Sequence, residues 1–190
     1  MAKEKTKIDS AFDKVDFLYA KGAIVNLDKN PRFPEKVKTG RPSIDWVTDG
    51  GVPRGREILI AGEPSAGKSS LTIQIAEEIG DKILYADTEA TLTTDYLIAL
   101  GATPSKFDHF IPETTELMCD VIRQQIPNYD VIIIDSINNS ASGEQLQKTA
   151  GEKTMANRAN VLSSQLPILI GLANQYNTTL IILSQVRDNM

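Results

Sequence analysis

The segment that most constrains the fold of this chain is the glycine-rich stretch at residues 62–69. It reads Gly-Glu-Pro-Ser-Ala-Gly-Lys-Ser, so that Gly62 and Gly67 frame four residues and are followed by Lys68 and Ser69. The apolar residues before it predict a short strand, and those after it predict a helix. A loop between a strand and a helix is the setting in which this motif forms a phosphate-binding loop.

The residue types of this loop indicate how it would hold a nucleotide. Glycines let the backbone curl so that successive N–H groups point at phosphate oxygens, and the N-terminus of the following helix adds positive charge. We expect Lys68 to reach the β- and γ-phosphates of ATP and the Ser69 hydroxyl to ligate Mg²⁺. The alternative is a glycine-rich turn that matches the motif by chance.

Predicted strands and helices alternate along the chain, which favours an α/β fold. The predicted strands are residues 57–61, 82–87, 108–111, 131–135 and 179–184, and the predicted helices are residues 69–79, 94–100, 115–125 and 161–176. Pro167 predicts a kink in the last helix. Because the strands are continuous apolar runs, we expect a mainly parallel sheet covered by helices on both faces.

The first 38 residues predict an appendage to this core. Residues 9–20 have apolar side chains near helical spacing, residues 23–27 suggest a brief strand, and a basic, proline-containing linker follows. The helix could pack on its own core or on a neighbouring molecule. We therefore divide the chain into an N-terminal segment and linker, residues 1–38, and a core, residues 39–190.

Acidic residues follow two of the predicted strands. Asp135 ends the run Val-Ile-Ile-Ile-Asp, at the edge of the sheet where ligands of open α/β folds bind, so we expect it to hold Mg²⁺ directly or through water. A cap of the next loop is the alternative. Asp87 and Glu89 follow the strand residues 82–86, where a carboxylate could activate a water molecule, but helix capping explains the spacing equally well.

Composition narrows the class of protein. No apolar run approaches the about 20 residues that span a bilayer, and the charged N-terminus lacks the apolar stretch of a secretory signal. A single cysteine and a single histidine argue against a disulfide framework and a zinc site, so we expect a cytoplasmic protein. The net charge of −5 conceals an asymmetry, with 12 basic and 9 acidic residues up to residue 60 but 8 and 16 beyond it. Nucleic acid would therefore contact a local patch.

Taken in order, these segments resemble the bacterial and phage RecA-type recombinases. The resemblance is carried by residues 39–46 and 50–55 (entry to the core), 62–70 (phosphate loop), 85–89 with Tyr96 (catalytic glutamate and adenine-stacking tyrosine), 130–136 (metal-binding strand end), 183–187 (γ-phosphate sensor) and 21–25 (contact to the neighbouring protomer). It implies a RecA-like P-loop ATPase core with a twisted sheet, an ATP–Mg²⁺ site and a small N-terminal appendage.

The resemblance also assigns roles to individual residues. It implies Glu89 and Lys68 as catalytic residues, Tyr96 and Gln185 as nucleotide contacts, and Ser69 and Asp135 as Mg²⁺ ligands. The phosphate loop would comprise Gly62, Glu63, Pro64, Ser65, Ala66, Gly67, Lys68, Ser69 and Ser70. Taken alone, Tyr96 could simply pack its helix on the sheet, and Gln185 could be a polar strand end satisfied by backbone groups.

For partners, the resemblance implies single-stranded DNA, duplex DNA during strand exchange, and further copies of the chain in a filament formed through the N-terminal segment. The polar residues 138–160 occupy the place of the first DNA-binding loop. The candidate DNA contacts are Lys148, Lys153, Arg158 and Arg187. Glu144 and Glu152 offset part of this charge, so a solvated loop without a DNA role is the alternative. The chain stops at Met190, where the second DNA-binding loop of the family is expected. This favours a C-terminally truncated chain, and a naturally short relative is the alternative.

The expected function is that of an ATP- and single-stranded-DNA-dependent recombinase, which acts in recombination and repair. Two alternatives stay open. One is a RecA-fold regulatory ATPase that acts on protein partners. The other is a non-catalytic, ATP-binding assembly subunit.

Overall fold

A five-stranded parallel sheet forms the centre of the part of the chain that the structure describes. The structure is a computed structural model and describes residue 28, residues 34–138 and residues 155–186, without the side chains of residues 155–158. The predicted helix at 9–20 and strand at 23–27 lie outside these residues. The chain divides into two units, residues 1–34 and 35–190, and every described element belongs to the second.

Strands and helices alternate through this unit. The strands are β1 (Lys36–Val37), β2 (Val52–Pro53), β3 (Glu57–Gly62), β4 (Ile83–Asp87), β5 (Phe107–Phe110), β6 (Val131–Asp135) and β7 (Thr179–Gln185). The α-helices are α1 (Pro42–Val47), α2 (Lys68–Ile79), α3 (Thr94–Ala99), α4 (Thr115–Gln125) and α5 (Met155–Tyr176). Short 3₁₀ turns lie at Pro104–Lys106 and Ile126–Asn128.

The order of the strands determines which loops meet. The order is β3-β7-β6-β4-β5, so β7 and β6 lie between the strand that precedes the phosphate loop and β4. Gly62 is opposite Gln185 in the β3–β7 pair, and Asp87 is opposite Asp135 in the β4–β6 pair. Because all five strands run the same way, these four strand ends lie along one edge of the sheet.

Helices cover both faces of the sheet. On one face, α2 and α3 pack against the alternate strand positions that include Ile133 and Ile181. On the other face, α4 and α5 pack against the positions that include Ile132 and Leu180. The central strand β6 contains three isoleucines and is buried throughout, as expected of β-branched residues in a sheet covered on both sides.

The fold therefore confirms the predicted α/β architecture. Helix α5 begins at Met155 rather than at the predicted residue 161. The added turns were not recognised because Ala159 and Asn160 are exposed and contribute no apolar stripe. The helix continues through Pro167.

Short elements before the sheet were also missed. β1 pairs antiparallel with β2, and helix α1 lies between them. Gly51 has φ +132° and passes so close to β1 that a Cβ would lie 2.2 Å from the carbonyl oxygen of Val37. Strands of two residues are too short to show an alternating pattern in sequence.

In the described part of the chain, no helix combines the length and the apolar character needed to cross a membrane.

Candidate nucleotide site

The phosphate loop leads from the end of β3 to the first turn of α2. Ser65 and Gly67 have positive φ angles of 61° and 81°, which produce the tight curl of the loop. No side chain of the described residues caps the N-terminus of α2, and its first turn contains no acidic residue. Nζ of Lys68 lies over the loop and donates to the carbonyl oxygen of Glu63 at 2.6 Å. This end of the helix is therefore suited to an anionic ligand.

Two hydroxyl groups converge on the carboxylate of Asp135, which is only 6% exposed. Oγ of Ser69 donates to its Oδ2 at 2.5 Å, and the hydroxyl of Tyr85 donates to the same oxygen at 2.6 Å. The strand register explains this meeting, since Asp87 lies opposite Asp135 and Tyr85 precedes Asp87 by two residues, on the same face of the sheet. Burial, together with the charge of Asp135, raises the pKa of Tyr85, so its hydroxyl keeps its proton and remains a donor.

Glu89 lies beside the ends of two other strands. Nε2 of Gln185, at the end of β7, donates to Oε1 of Glu89 at 2.7 Å. The hydroxyl of Ser136, just after β6, is 3.5 Å from the same oxygen. Three neighbouring strands thus contribute to one polar network at the carboxyl edge of the sheet.

Thr88 joins the end of β4 to the end of β6. Its backbone N–H donates to the carbonyl oxygen of Asp135 at 2.7 Å, and its Oγ1 accepts from the N–H of Ser136 at 3.0 Å. The peptide bond between Asp135 and Ser136 is cis. On the other side of β6, Oδ1 of Asn138 accepts from the N–H of Gln185 at 2.9 Å. These bonds fix the loop ends that carry Glu89 and Gln185 relative to Asp135.

Asp87 organises the loop that carries Glu89. Its carboxylate is 1% exposed and accepts from the backbone N–H groups of Glu89, Thr91 and Leu92 at 3.1, 2.8 and 2.8 Å. Nε2 of His109, on β5, is 3.1 Å from Oδ2 of Asp87. Because an ionised carboxylate only accepts, the imidazole is the donor in this bond. Asp87 thus caps the loop, the alternative that its spacing had left open.

Tyr96 projects from α3 towards the phosphate-loop helix. Its hydroxyl and Oγ of Ser70 are 2.7 Å apart, and the residue is 37% exposed. A tyrosine that only packed its helix on the sheet would be buried, so this partial exposure favours a surface at which a ligand can contact the ring.

These side chains surround one cleft with a volume of about 240 Å³. Its lining comprises Ser65, Gly67, Lys68, Ser69, Ser70, Glu89, Tyr96, Asp135 and Gln185. All nine are residues predicted from sequence. The other predicted loop residues, Gly62, Glu63, Pro64 and Ala66, belong to the loop but not to this lining. Lys148, Lys153 and Arg187 lie outside the described residues, as does the side chain of Arg158.

The oxygen donors of the cleft fit a small divalent cation. A serine hydroxyl beside a carboxylate, next to a loop that can cradle phosphate oxygens, is the donor set that Mg²⁺ uses when a nucleotide supplies the remaining ligands. Within the described ranges no group of three or more His, Cys, Asp or Glu side chains is placed to hold a metal ion.

Sequence reasoning missed Tyr85, His109 and Asn138. Tyr85 reads as one more apolar residue of a buried strand, although a buried tyrosine hydroxyl usually has a partner. The contacts of His109 and Asn138 depend on strands that are distant in sequence, and no spacing within the chain indicates them.

A phosphate loop between a parallel strand and a helix, with an acidic strand end beside it, defines the P-loop class of nucleotide-binding folds. Residues 6–190 match the RecA N-terminal domain family, and the chain belongs to this family.

Individual relatives agree with this assignment. The chain is 30% identical to Protein RecA of Geobacter sulfurreducens, over 98% of this chain and 58% of that protein. It is 28% identical to Protein RecA of Arthrospira platensis, over 98% of this chain and 53% of that protein. The crystal structure of the RadB recombinase superimposes with a TM-score of 0.62 at 25% identity, over 80% of this chain and 71% of that one. The chain thus spans about half the length of the curated relatives.

Proposed function

We propose that this chain binds ATP with Mg²⁺ in the cleft and hydrolyses it in response to single-stranded DNA, as the ATPase region of a recombinase. The observation that carries the proposal is the convergence of Ser69, Asp135, Glu89 and Gln185 around one phosphate loop. Membership of the RecA N-terminal domain family supports the same function.

In this proposal, the loop backbone and Lys68 bind the β- and γ-phosphates, and Tyr96 contacts the adenine. Ser69 and Asp135 would hold Mg²⁺, which supplies charge neutralisation at the phosphates. Binding of the phosphates replaces the contact between Lys68 and the carbonyl of Glu63.

Glu89 is the proposed base that orients the attacking water. Its bond to Gln185 supports a coupling role for the glutamine, because the same amide nitrogen has a second N–H group that a γ-phosphate could accept from. The amide would then link the γ-phosphate to the carboxylate of Glu89. Since Gln185 ends β7, a change there is passed directly to the residues that follow.

The proposed partners are single-stranded DNA, duplex DNA during strand exchange, and further copies of the chain. DNA would contact the basic residues Lys148, Lys153, Arg158 and Arg187. The segment of residues 1–38 is proposed to join protomers into a filament, and the setting is the cytoplasm.

ATP turnover measured with and without single-stranded DNA tests this function. We expect DNA to stimulate turnover, and Glu89→Gln to lower the stimulated rate by at least about 100-fold, because general-base catalysis contributes a factor of that order. Nucleotide affinity of the variant, measured with a fluorescent ATP analogue, should change little.

Glu57→Gln is the matched control, since Glu57 is an exposed glutamate at the opposite end of β3 and its variant should keep the wild-type rate. Turnover that ignores DNA would contradict the recombinase function and favour a regulatory ATPase. Binding without turnover would favour an assembly subunit.

A further inference from the structure

Among the described residues, the buried hydroxyl of Tyr85 is the one polar group at the carboxylate of Asp135 to which the proposed function gives no task. Tyr85 is 2% exposed, and its ring lies in the core face between α2 and the sheet. Its hydroxyl reaches Oδ2 of Asp135 at 2.6 Å, the oxygen that Ser69 also contacts. Both hydrogen bonds that the described residues make to this carboxylate therefore use the same oxygen.

The two donors differ in their freedom to move. Ser69 has a short side chain at the start of α2, and its hydroxyl can turn from the carboxylate towards a cation by one rotation about χ1. Tyr85 has no such choice, because its ring is enclosed by Ile83, Ile133 and their neighbours in the core. When Ser69 turns away to bind a cation, Tyr85 remains the donor that fixes the direction of the Asp135 carboxylate.

We propose that Tyr85 is a positioning residue for the Mg²⁺ site: its hydrogen bond to Oδ2 fixes the orientation of the Asp135 carboxylate, which would hold the cation. Groups that orient a metal-binding carboxylate in this way commonly determine metal affinity. The inference rests on the proposed nucleotide–Mg²⁺ site and adds a residue to it. The contact links the cleft to the buried part of β4, on which Tyr85 lies.

The test is a Mg²⁺ titration of nucleotide binding by the wild-type chain and by Tyr85→Phe, with a fluorescent ADP analogue as the probe. The substitution removes only the hydroxyl, so the ring continues to fill the core. We expect the Mg²⁺ concentration for half-maximal binding to rise about 10-fold or more. Binding in excess EDTA should be equal for the two proteins, because the hydroxyl acts only through the metal.

Tyr129→Phe is the matched control. The Tyr129 hydroxyl also donates to a carboxylate, that of Asp108, at 2.8 Å, but it lies before the start of β6 and outside the cleft. Its loss should leave the Mg²⁺ titration at the wild-type position.

The same substitution made in a chain that already carries Asp135→Asn distinguishes a positioning role from a general structural effect. If Tyr85 acts through Asp135, Tyr85→Phe should shift the titration in the wild-type chain but not in Asp135→Asn. A folded Tyr85→Phe with a wild-type titration would overturn the inference. So would a Tyr85→Phe chain that fails to fold, since the hydroxyl would then serve stability. If the wild type shows no Mg²⁺-dependent binding, the proposed function itself fails, which is a distinct result.

Discussion

At the scale of single residues, two buried threonine hydroxyls are accommodated in opposite ways. Thr178 is 1% exposed, and its Oγ1 donates to the carbonyl oxygens of Ile126 and Tyr129 at 2.7 and 3.0 Å. Thr72, inside α2, is fully buried, and its Oγ1 has no hydrogen-bond partner among the described residues. A buried hydroxyl without a partner loses its bonds to water and gains nothing in return.

Replacement of both threonines by valine should therefore change stability in opposite directions. Valine has nearly the same shape and a similar helix propensity. We expect Thr72→Val to raise the free energy of unfolding by about 1 kcal/mol, because it removes an unsatisfied polar group. Thr178→Val should lower it by about 1–3 kcal/mol, because it removes the hydroxyl proton that the carbonyl oxygens of Ile126 and Tyr129 share and leaves the buried one without this donor. Urea unfolding monitored by circular dichroism measures both, and a similar loss in the two variants would contradict the account.

At the scale of elements, the loop between β4 and α3 depends on a neighbouring strand. Asp87 holds three backbone N–H groups of this loop, and His109 on β5 holds Asp87. The imidazole edge also meets the Tyr85 ring, with centroids 6.5 Å apart at 69°. The edge strand β5 thus supports the loop that carries Glu89, although it contributes no side chain to the cleft.

His109→Leu should weaken this support. A hydrogen bond to a charged group contributes about 1.5–3 kcal/mol to stability, so we expect the free energy of unfolding to fall by an amount of that order. Turnover should fall more than nucleotide affinity, because the loop carries Glu89 rather than the phosphate contacts.

The conservative variant His109→Gln keeps a donor and provides the comparison. It should restore a large part of the stability and of the turnover. Equal losses of stability and turnover in His109→Leu and His109→Gln would show that packing of the imidazole ring, not its bond to Asp87, supports the loop.

The long elements were predictable because each has a clear local signal. Val131–Asp135 is an unbroken apolar run and is buried throughout, and helix Thr115–Gln125 agrees with the predicted bounds. Thr114 starts that helix by accepting from the N–H of Leu117. The two-residue strands, helix α1 and the first turns of α5 lack such a signal, because each is too short or carries no apolar stripe.

The candidate site likewise contains residues that a local sequence pattern predicts and contacts that it does not. The phosphate loop is contiguous in sequence, and Asp135 ends an obvious strand, so both could be inferred from local pattern. The contact of Tyr85 with Asp135 spans 50 residues and depends on the β4–β6 register. A single sequence does not specify register between strands, and this is why the contacts behind the cleft could not be predicted.

At the scale of the whole molecule, charge limits how DNA could bind. The chain carries a net charge of −5, and the excess of acidic residues lies beyond residue 60. A polyanion would therefore be repelled by most of this surface and attracted only where basic residues cluster. Lys148, Lys153 and Arg158 are the candidates for such a cluster that lie within the polar segment 138–160, and the two lysines are the simplest to remove together.

Removal of these two lysines should weaken DNA binding in a way that depends on salt. Each phosphate contact to a single strand steepens the plot of log affinity against log salt by about 0.7. The double variant Lys148→Ala, Lys153→Ala should therefore make this slope shallower by about 1.4. The measurement is fluorescence polarisation of labelled oligodeoxythymidine at several salt concentrations, with a nonhydrolysable ATP analogue present. Lys38→Ala, at an exposed lysine before α1, removes one positive charge where the double variant removes two, and it should leave the slope unchanged if charge alone is not the cause. Equal slopes in all three proteins would exclude these lysines as DNA contacts, whereas a smaller slope change in proportion to net charge would indicate a diffuse field rather than a binding loop.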